Sequence, residues 1–220
     1  MALSRLNYNS LNVTPTASKG IGFDSGADDL AATFSGGSMR FIKKLTSDGS
    51  DDDLSFVDGA SDVVLDDTYK EYMFIFNDIH PETDEVDFTF NLSIDTGSNY
   101  NVAKTTTTFY GYHDEGDTAA ALAYIASHDL AQGTGFQQLG DAIGNDNDQC
   151  CSGYLHLFNP SSTTFVKHFI ASMNTITDAN YSVNEYTAGY GNTTSAVDAI
   201  QFKMSSDEIQ AGTICLYGIK

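Results

Sequence analysis

Basic residues are scarce in this chain of 220 residues, in which ten Lys and Arg stand against 30 Asp and Glu for a formal net charge of −20. A surface this acidic repels phosphate backbones and anionic lipid headgroups, so we expect neither nucleic acid nor a membrane surface as a partner. No apolar run approaches the roughly 18 residues that a membrane-spanning helix needs. Residues 1–10 also lack the apolar core of a signal peptide, and we therefore predict a soluble protein made in a cytoplasm without Sec export.

Cysteine is sparse as well, and its three copies are Cys150, Cys151 and Cys215. Their spacing fits neither a zinc site nor a redox Cys-x-x-Cys motif. A bridge between the neighbours Cys150 and Cys151 would close a strained ring. We therefore predict free thiols, as in a protein made in a reducing compartment, while a bridge from one of the two to Cys215 stays open.

The motifs of common enzymes are missing too. The sequence has no Gly-x-Ser-x-Gly elbow, no phosphate-binding loop ending in Lys-Ser/Thr and no His-Glu-x-x-His. The histidines are dispersed, at His80, His113, His128, His156 and His168. His156 and His168 lie in apolar alternations where each could ligate a metal beside an Asp, although solvated or hydrogen-bonded histidines are far commoner. We predict that the protein is not an enzyme and has no catalytic residue, cofactor or metal.

Two loops are dense in carboxylates and amides, residues 47–53 and residues 144–149. Both offer the hard oxygen ligands that calcium prefers. Neither fits the EF-hand pattern, because the glycine and the distal glutamate fall in the wrong places. We expect solvated turns, with Ca²⁺ in one of these acidic loops as the alternative.

Alternation of period two is the dominant pattern in the sequence. Residues 72–79 place Tyr72, Phe74 and Phe76 on one face, and residues 86–94 alternate apolar with polar side chains in the same way. Further strands are predicted at residues 40–45, 53–57, 105–112, 153–158, 163–173, 182–190, 199–204 and 212–219. About ten short strands separated by Gly, Asn, Asp and Ser predict an all-β fold, an antiparallel β-sandwich or jelly-roll-like domain. The Ala-rich residues 118–127 are the one fair helix candidate, although they could also be a strand.

Residues 1–35 differ from residues 36–220, which carry the predicted sandwich. The first segment is rich in Asn, Ser, Thr, Gly and Ala and has no sustained period. We interpret it as an extended N-terminal arm or adaptor that becomes ordered against a partner. Its candidate docking anchors are Leu6, Leu11, Val13, Ile21 and Phe23. One or two edge strands of the same sandwich are a nearly equal alternative.

Tryptophan is absent, whereas Tyr occurs 12 times and Phe 14 times. Most Phe positions follow the alternation, but several Tyr lie near predicted loops, where tyrosine can stack on sugars or fill a protein interface. The candidate receptor-facing residues in these loops are Tyr100, Asn145, Asp146 and Tyr181. Because carbohydrate sites more often include Trp, its absence weakens the hypothesis that these loops bind a glycan.

Four segments are distinctive as a set: residues 69–81, 95–102, 152–160 and 211–219. The last of them, with its Gly-Thr-Ile-Cys-Leu-Tyr-Gly sequence, is the most telling. Together they resemble tail-fibre-like and head-decoration-like virion structural proteins of tailed bacteriophages, particularly marine, cyanophage-type ones. The resemblance implies a β-rich virion component that forms homo-oligomers, commonly trimers, and docks on neighbouring capsid or tail proteins through an N-terminal segment. Because the chain has no long repetitive shaft, a head decoration, knob or small tail-associated protein fits it better than a complete tail fibre.

Three functions are therefore weighed. The leading hypothesis is a non-enzymatic bacteriophage virion structural protein that oligomerises and docks on its neighbours. The second is a host-receptor module of a tail fibre or tip that binds a surface glycan. The third, a glycan-degrading enzyme, needs two carboxylates about 5–10 Å apart in a cleft, a pair that 30 acidic residues supply easily by chance.

Overall fold

The computed structural model describes residues 19–23, 30–35 and 37–220. The chain divides into two compact units, residues 1–40 and residues 41–220. In the first unit, β1 (Lys19–Phe23) and β2 (Leu30–Ser35) pair antiparallel as a two-stranded sheet. The boundary between the two units, after residue 40, lies five residues later than the predicted boundary between the arm and the sandwich, after residue 35.

Within residues 37–220 the structure has thirteen strands and, apart from a 3₁₀ turn at Ala126–His128, no helix. The strands are β3 (Met39–Thr46), β4 (Leu54–Val57), β5 (Glu71–Pro81), β6 (Val86–Ser93), β7 (Lys104–Asp114), β8 (Ala120–Tyr124), β9 (Ala131–Gly133), β10 (Gln137–Ile143), β11 (Cys151–Phe158), β12 (Lys167–Ile176), β13 (Tyr181–Gly191), β14 (Ala199–Met204) and β15 (Ile209–Ile219).

These strands form two sheets of unequal size. The smaller sheet has the order β10-β6-β14-β4, and the larger has the order β3-β15-β5-β11-β12-β13-β7-β8, with the short β9 also paired to β7. The pairs from β15 to β8 and those of the smaller sheet are antiparallel. The two sheets pack against each other, which confirms the predicted all-β antiparallel sandwich.

Phenylalanine fills the space between the sheets. Phe202 of β14 lies with its ring centroid 5.3 Å from that of Phe74 and 5.1 Å from that of Phe76, both on β5. Phe90 of β6 meets Phe169 of β12 edge to face at 5.0 Å. Each of these rings is almost completely buried, and aromatic burial with edge-to-face contacts supplies a large share of a sandwich's stability.

The predicted strands at residues 72–79 and 86–94 are confirmed as β5 and β6. The helix alternative for residues 118–127 is wrong: the segment forms β8 and the 3₁₀ turn, because Phe109 to His113 of β7 pair with it in register and override the helix propensity of alanine. The strand predicted at residues 163–173 begins later, at Lys167. The short β9 and the whole of β10 were not predicted.

Candidate functional site

The outer face of the larger sheet, turned away from the smaller sheet, carries two continuous rows of side chains across its strands. One row comprises Cys215, Ile75, Tyr154, Ser172, Tyr186, Phe109 and Tyr124, each paired in register with the next. The adjacent row comprises Tyr217, Met73, His156, Ile170, Ala188 and Thr107. We call these two rows the aromatic face.

Several members of the aromatic face are well exposed. Ile170 at its centre is 51% exposed, and Tyr124 at its edge is 61% exposed. Phe109 and Tyr186 stack with their ring centroids 5.1 Å apart and their planes 16° apart. Leu122, which follows on β8 beside these rows, is 78% exposed. The face is therefore an ordered apolar surface that the described part of the chain leaves in contact with solvent.

Neither row of the aromatic face contains an Asp or a Glu, although the chain has 30 of them. The nearest acidic position in register is Glu71, one row further along β5, and its carboxylate pairs with Nδ1 of His156. The face also has a shallow depression over Ala188 and Gly189, about 480 Å³ in volume, bordered by Ile170 and Tyr190. The carboxylate of Asp129 also reaches the face and accepts a hydrogen bond from the hydroxyl of Tyr124. The two rows are thus aromatic, slightly concave and without carboxylates of their own, and Glu71 and Asp129 lie at their border.

The opposite, inner face of the same sheet holds a buried charge cluster. Nδ1 of His128 lies 3.1 Å from Oε1 of Glu185, and Nε2 lies 3.6 Å from Oδ1 of Asp141. Burial raises the pKa of Glu185. Burial alone would lower the pKa of His128, but the hydrogen bond that its imidazole donates to Glu185 and the charges of Glu185, Asp141 and Asp87 together raise it. The side chains of Glu185 and His128 are only 1% and 10% exposed, so the cluster is enclosed.

The candidate receptor-facing residues fall at two opposite ends of β6. The backbone N–H of Asn145 donates to Asp84, just before β6 begins, whereas the amide of Asn91, close to the end of β6, donates to the carbonyl of Tyr100. Eight residues of strand separate these ends by about 25 Å. Tyr100 therefore belongs to a different surface from Asn145.

Two of the predicted loops do come together. Nε2 of Gln149 donates to Oδ1 of Asn180 at 3.1 Å and to the carbonyl of Asp178 at 3.4 Å, which ties the loop of Asn145 and Asp146 to the turn before Tyr181. Gln149 and Asn180 are 31 residues apart in sequence, so no local pattern indicates this contact between the two predicted loops.

Of the candidate arm anchors, Leu6, Leu11 and Val13 lie outside the described residues, and Ile21 and Phe23 lie in β1. In the acidic loop at residues 47–53, Oδ2 of Asp51 accepts a hydrogen bond from the backbone N–H of Asp48, and Oδ1 of Asp48 accepts from that of Ser50. In the described ranges we find no group of three His, Cys, Asp or Glu placed to share a metal ion. The three cysteines are free thiols, and burial strongly raises the pKa of Cys151.

Functional features that the sequence analysis missed are the aromatic face and the buried cluster. His128 and Glu185 are 57 residues apart, and only the register between β7 and β13, which sets Tyr110 opposite Glu185, brings them together. The outward direction of His156, by contrast, follows from the alternation of β11, as predicted.

Comparison with known proteins adds no relative: no family model matches the sequence, and neither the curated proteins nor the solved structures give a significant match. The part of the chain that the structure describes contains no helix with the length and hydropathy needed to cross a membrane.

Proposed function

We propose that the protein is a non-enzymatic structural component of a tailed-phage virion, a head decoration, knob or small tail-associated protein, and that it assembles with copies of itself through the aromatic face. The observation that carries the proposal is the combination of exposed aromatic side chains and missing carboxylates on one ordered surface. The segments at residues 69–81 and 211–219, which resemble segments of virion proteins, support the proposal that this surface functions in a virion.

Charge favours a second copy of the chain as the occupant. At a net charge of −20, most approaches of an identical molecule bring like charges together. The two rows of the aromatic face contribute no carboxylate of their own, so copies that meet there bring fewer like charges together than elsewhere on the surface. The nearby Glu71 carboxylate is paired with His156, which lessens the cost of its desolvation. The exposed Ile170 and Tyr186 would then be covered by apolar side chains of the neighbouring copies.

The size of the surface is adequate for a weak to standard interface. The strands from β15 to β8 span six spacings of about 4.8 Å, or about 29 Å. With the neutral rows that flank it on β11, β12, β13 and β7, the aromatic face covers roughly 600 Å² per partner, against the ~800 Å² that is typical of stable complexes.

The proposal gives the protein no catalytic role. Two histidine–carboxylate pairs are half-buried or buried: His128–Glu185 is enclosed in the sandwich, and His156–Glu71 lies at the aromatic face, where assembly would cover it. Host-glycan recognition is the less supported alternative, since Tyr100 and Asn145 lie at opposite ends of β6 and cannot form one receptor surface.

A carboxylate placed in the aromatic face should block assembly. We expect the wild-type chain to form a trimer, with three times the monomer mass of 23.7 kDa, and Ile170→Asp and Tyr186→Asp to be monomers by light scattering after size-exclusion chromatography. Phage particles whose genome carries Ile170→Asp should then lack the protein when purified particles are analysed by mass spectrometry.

The matched control is Asn101→Asp, which adds the same charge at an exposed position in the loop before β7. It should leave both the mass and the incorporation into particles unchanged, and circular dichroism should confirm that all variants are folded. A wild-type chain that stays monomeric at high concentration, or an Ile170→Asp variant that assembles normally, would contradict the proposal.

A further inference from the structure

A pocket of about 280 Å³ is lined by residues of β7 and β13 from the larger sheet, by β10 of the smaller sheet and by the turn between β12 and β13. Three tyrosines line it, Tyr110 and Tyr112 from β7 and Tyr181 from the start of β13, and Asp141 of β10 and Asp178 of the β12–β13 turn complete its acidic lining. We call it the tyrosine pocket. Its volume suits a small ligand, since sites for drug-sized molecules begin at about 300 Å³.

The rings of the tyrosine pocket form two successive pairs, and the two rings of each pair are nearly perpendicular. The centroids of Tyr110 and Tyr112 are 5.8 Å apart with an angle of 75° between the planes, and those of Tyr112 and Tyr181 are 5.4 Å apart with an angle of 76°. In each pair the edge of one ring meets the face of the other. Because neighbouring rings are nearly perpendicular, the pocket is lined by both faces and edges of aromatic rings. The face of an aromatic ring carries the negative part of its quadrupole.

Carboxylates outnumber cations around the tyrosine pocket. Asp141 and Asp178 line it, and Glu185, whose Oε2 has no hydrogen-bond partner among the described residues, lies opposite Tyr110 in the β7–β13 register. The cationic partner in this group is His128. Burial raises the pKa of Tyr110, and the charge of Asp141 raises it further, as expected where the potential is negative.

We propose that the tyrosine pocket binds a small organic cation, an alkylated ammonium of the quaternary or methylated-amine type. Aromatic faces attract such cations within about 6 Å of the ring centroid, and the attraction grows when the cation leaves water. The two aspartates supply the counter-charge that a bulky ammonium, which cannot donate strong hydrogen bonds, requires at short range.

Other ligand classes fit this chemistry less well. An anion would be repelled by Asp141 and Asp178. A neutral sugar can donate hydroxyl hydrogen bonds to these carboxylates but, unlike an ammonium, does not neutralise their charge. A metal ion would need several oxygen ligands converging on one point, and no such group of acidic and histidine side chains occurs in the described ranges. The inference does not rest on the proposed function, because the tyrosine pocket lies on the inner face and the aromatic face on the outer one.

The experiment compares two probes of the same shape and different charge. Choline and its uncharged isostere 3,3-dimethylbutan-1-ol are titrated into the full chain at constant ionic strength, and binding is followed by NMR chemical shifts of the tyrosine rings. We expect saturable choline binding and at least about ten-fold weaker binding of the alcohol. Equal affinities, no saturable response to choline, or tighter binding of a neutral hexose would overturn the proposal.

Variants locate the binding in the tyrosine pocket. Tyr112→Leu, which keeps apolar volume but removes the π-system, and Asp178→Asn, which removes one charge, should each weaken choline binding about five- to ten-fold, whereas Tyr112→Phe should keep it. Tyr154→Leu on the aromatic face is the control and should bind like the wild type. Choline binding that is unchanged in Asp178→Asn and Tyr112→Leu would refute the site. If Tyr112→Leu does not fold, the Asp178→Asn result decides alone.

Discussion

Two lysines are completely buried, and both donate to neutral oxygens. Nζ of Lys104 donates to Oδ1 of Asn91 and, at 3.0 Å, to the carbonyl of Val102. Nζ of Lys167 donates to the carbonyls of Phe165 at 2.7 Å and Thr193 at 3.1 Å. Burial lowers the pKa of Lys104 from 10.5 to about 7. A neutral amine has two N–H donors, and Lys104 has two acceptors, so both N–H groups of its uncharged form are hydrogen-bonded in the fold.

The stability of the protein should therefore rise above neutral pH through Lys104. Between pH 7 and 10.5 the unfolded chain holds a proton on this amine and the folded chain does not, so the unfolded state binds more protons and stability increases with pH. From pH 7 to pH 9 the gain should be about 2 kcal/mol in the free energy of unfolding, measured with urea. The gain should vanish in Lys104→Met.

Lys44→Met, at an exposed lysine of β3, is the control and should preserve the pH dependence of the wild type. A Lys104→Met variant that still gains as much stability as the wild type between pH 7 and 9 would show that Lys104 is charged in the folded protein.

The burial of Lys104 could not be predicted from the sequence. The alternation of β7 places Lys104 on the same face as the threonines Thr106 and Thr108, a pattern typical of a solvated face, yet all three are buried. One acceptor, the carbonyl of Val102, is local, but the other is the side-chain oxygen of Asn91 on β6, 13 residues away, which only the tertiary structure brings to Lys104.

At the scale of the element, local patterns identified most strands but missed β9 and β10, whose own sequences have little β propensity and which form because neighbouring strands pair with them. β6 was predictable because Val86, Phe88 and Phe90 alternate with polar residues, and β5 because Tyr72, Phe74 and Phe76 recur with period two. β10, with the sequence QQLGDAI, has few β-branched or aromatic residues and exists because β6 pairs with it through Phe88 and Phe90. The aromatic face was not predictable for the same reason, since its rows are set by the register of seven strands.

The close approach of β13 to β7 depends on a glycine. A Cβ atom on Gly189 would lie 2.5 Å from the carbonyl oxygen of Thr105 and 3.0 Å from the Cα of Thr106. Both are backbone atoms, which cannot swing aside, so one strand would have to shift. We expect Gly189→Ala to reduce the free energy of unfolding by about 2 kcal/mol or more in urea titrations.

Gly111→Ala provides the comparison on the partner strand, because its Cβ would meet no atom closer than 3.8 Å. It should change stability by less than about 1 kcal/mol. Equal losses in the two variants would mean that flexibility of glycine, rather than the contact between β13 and β7, sets the cost.

At the scale of the whole molecule, the net charge of −20 opposes compaction and makes stability depend on salt. The Debye length falls from about 30 Å at 0.01 M to about 3 Å at 1 M, so repulsion among surface carboxylates is strong in dilute buffer and nearly removed in concentrated salt. The exposed Asp146 and Asp148 lie in one loop and contribute to this repulsion.

Removing both charges should stabilise the protein only at low salt. We expect the double variant Asp146→Asn and Asp148→Asn to melt at a higher temperature than the wild type in 0.01 M buffer and at the same temperature near 1 M NaCl, as measured by differential scanning calorimetry. A difference that persists unchanged in concentrated salt would point to a local contact of these carboxylates instead of long-range repulsion.

The position of β15 has a consequence for how the chain reaches its fold. β15 follows all the other described strands in sequence, yet in the larger sheet it lies between β3 and β5, which are neighbours only through it. During synthesis, β3 and one edge of β5 must therefore wait without a partner while more than 120 further residues are added. Open strand edges readily join those of other chains, and such distant pairings form slowly. A nascent chain of this protein is thus exposed to aggregation until β15 arrives.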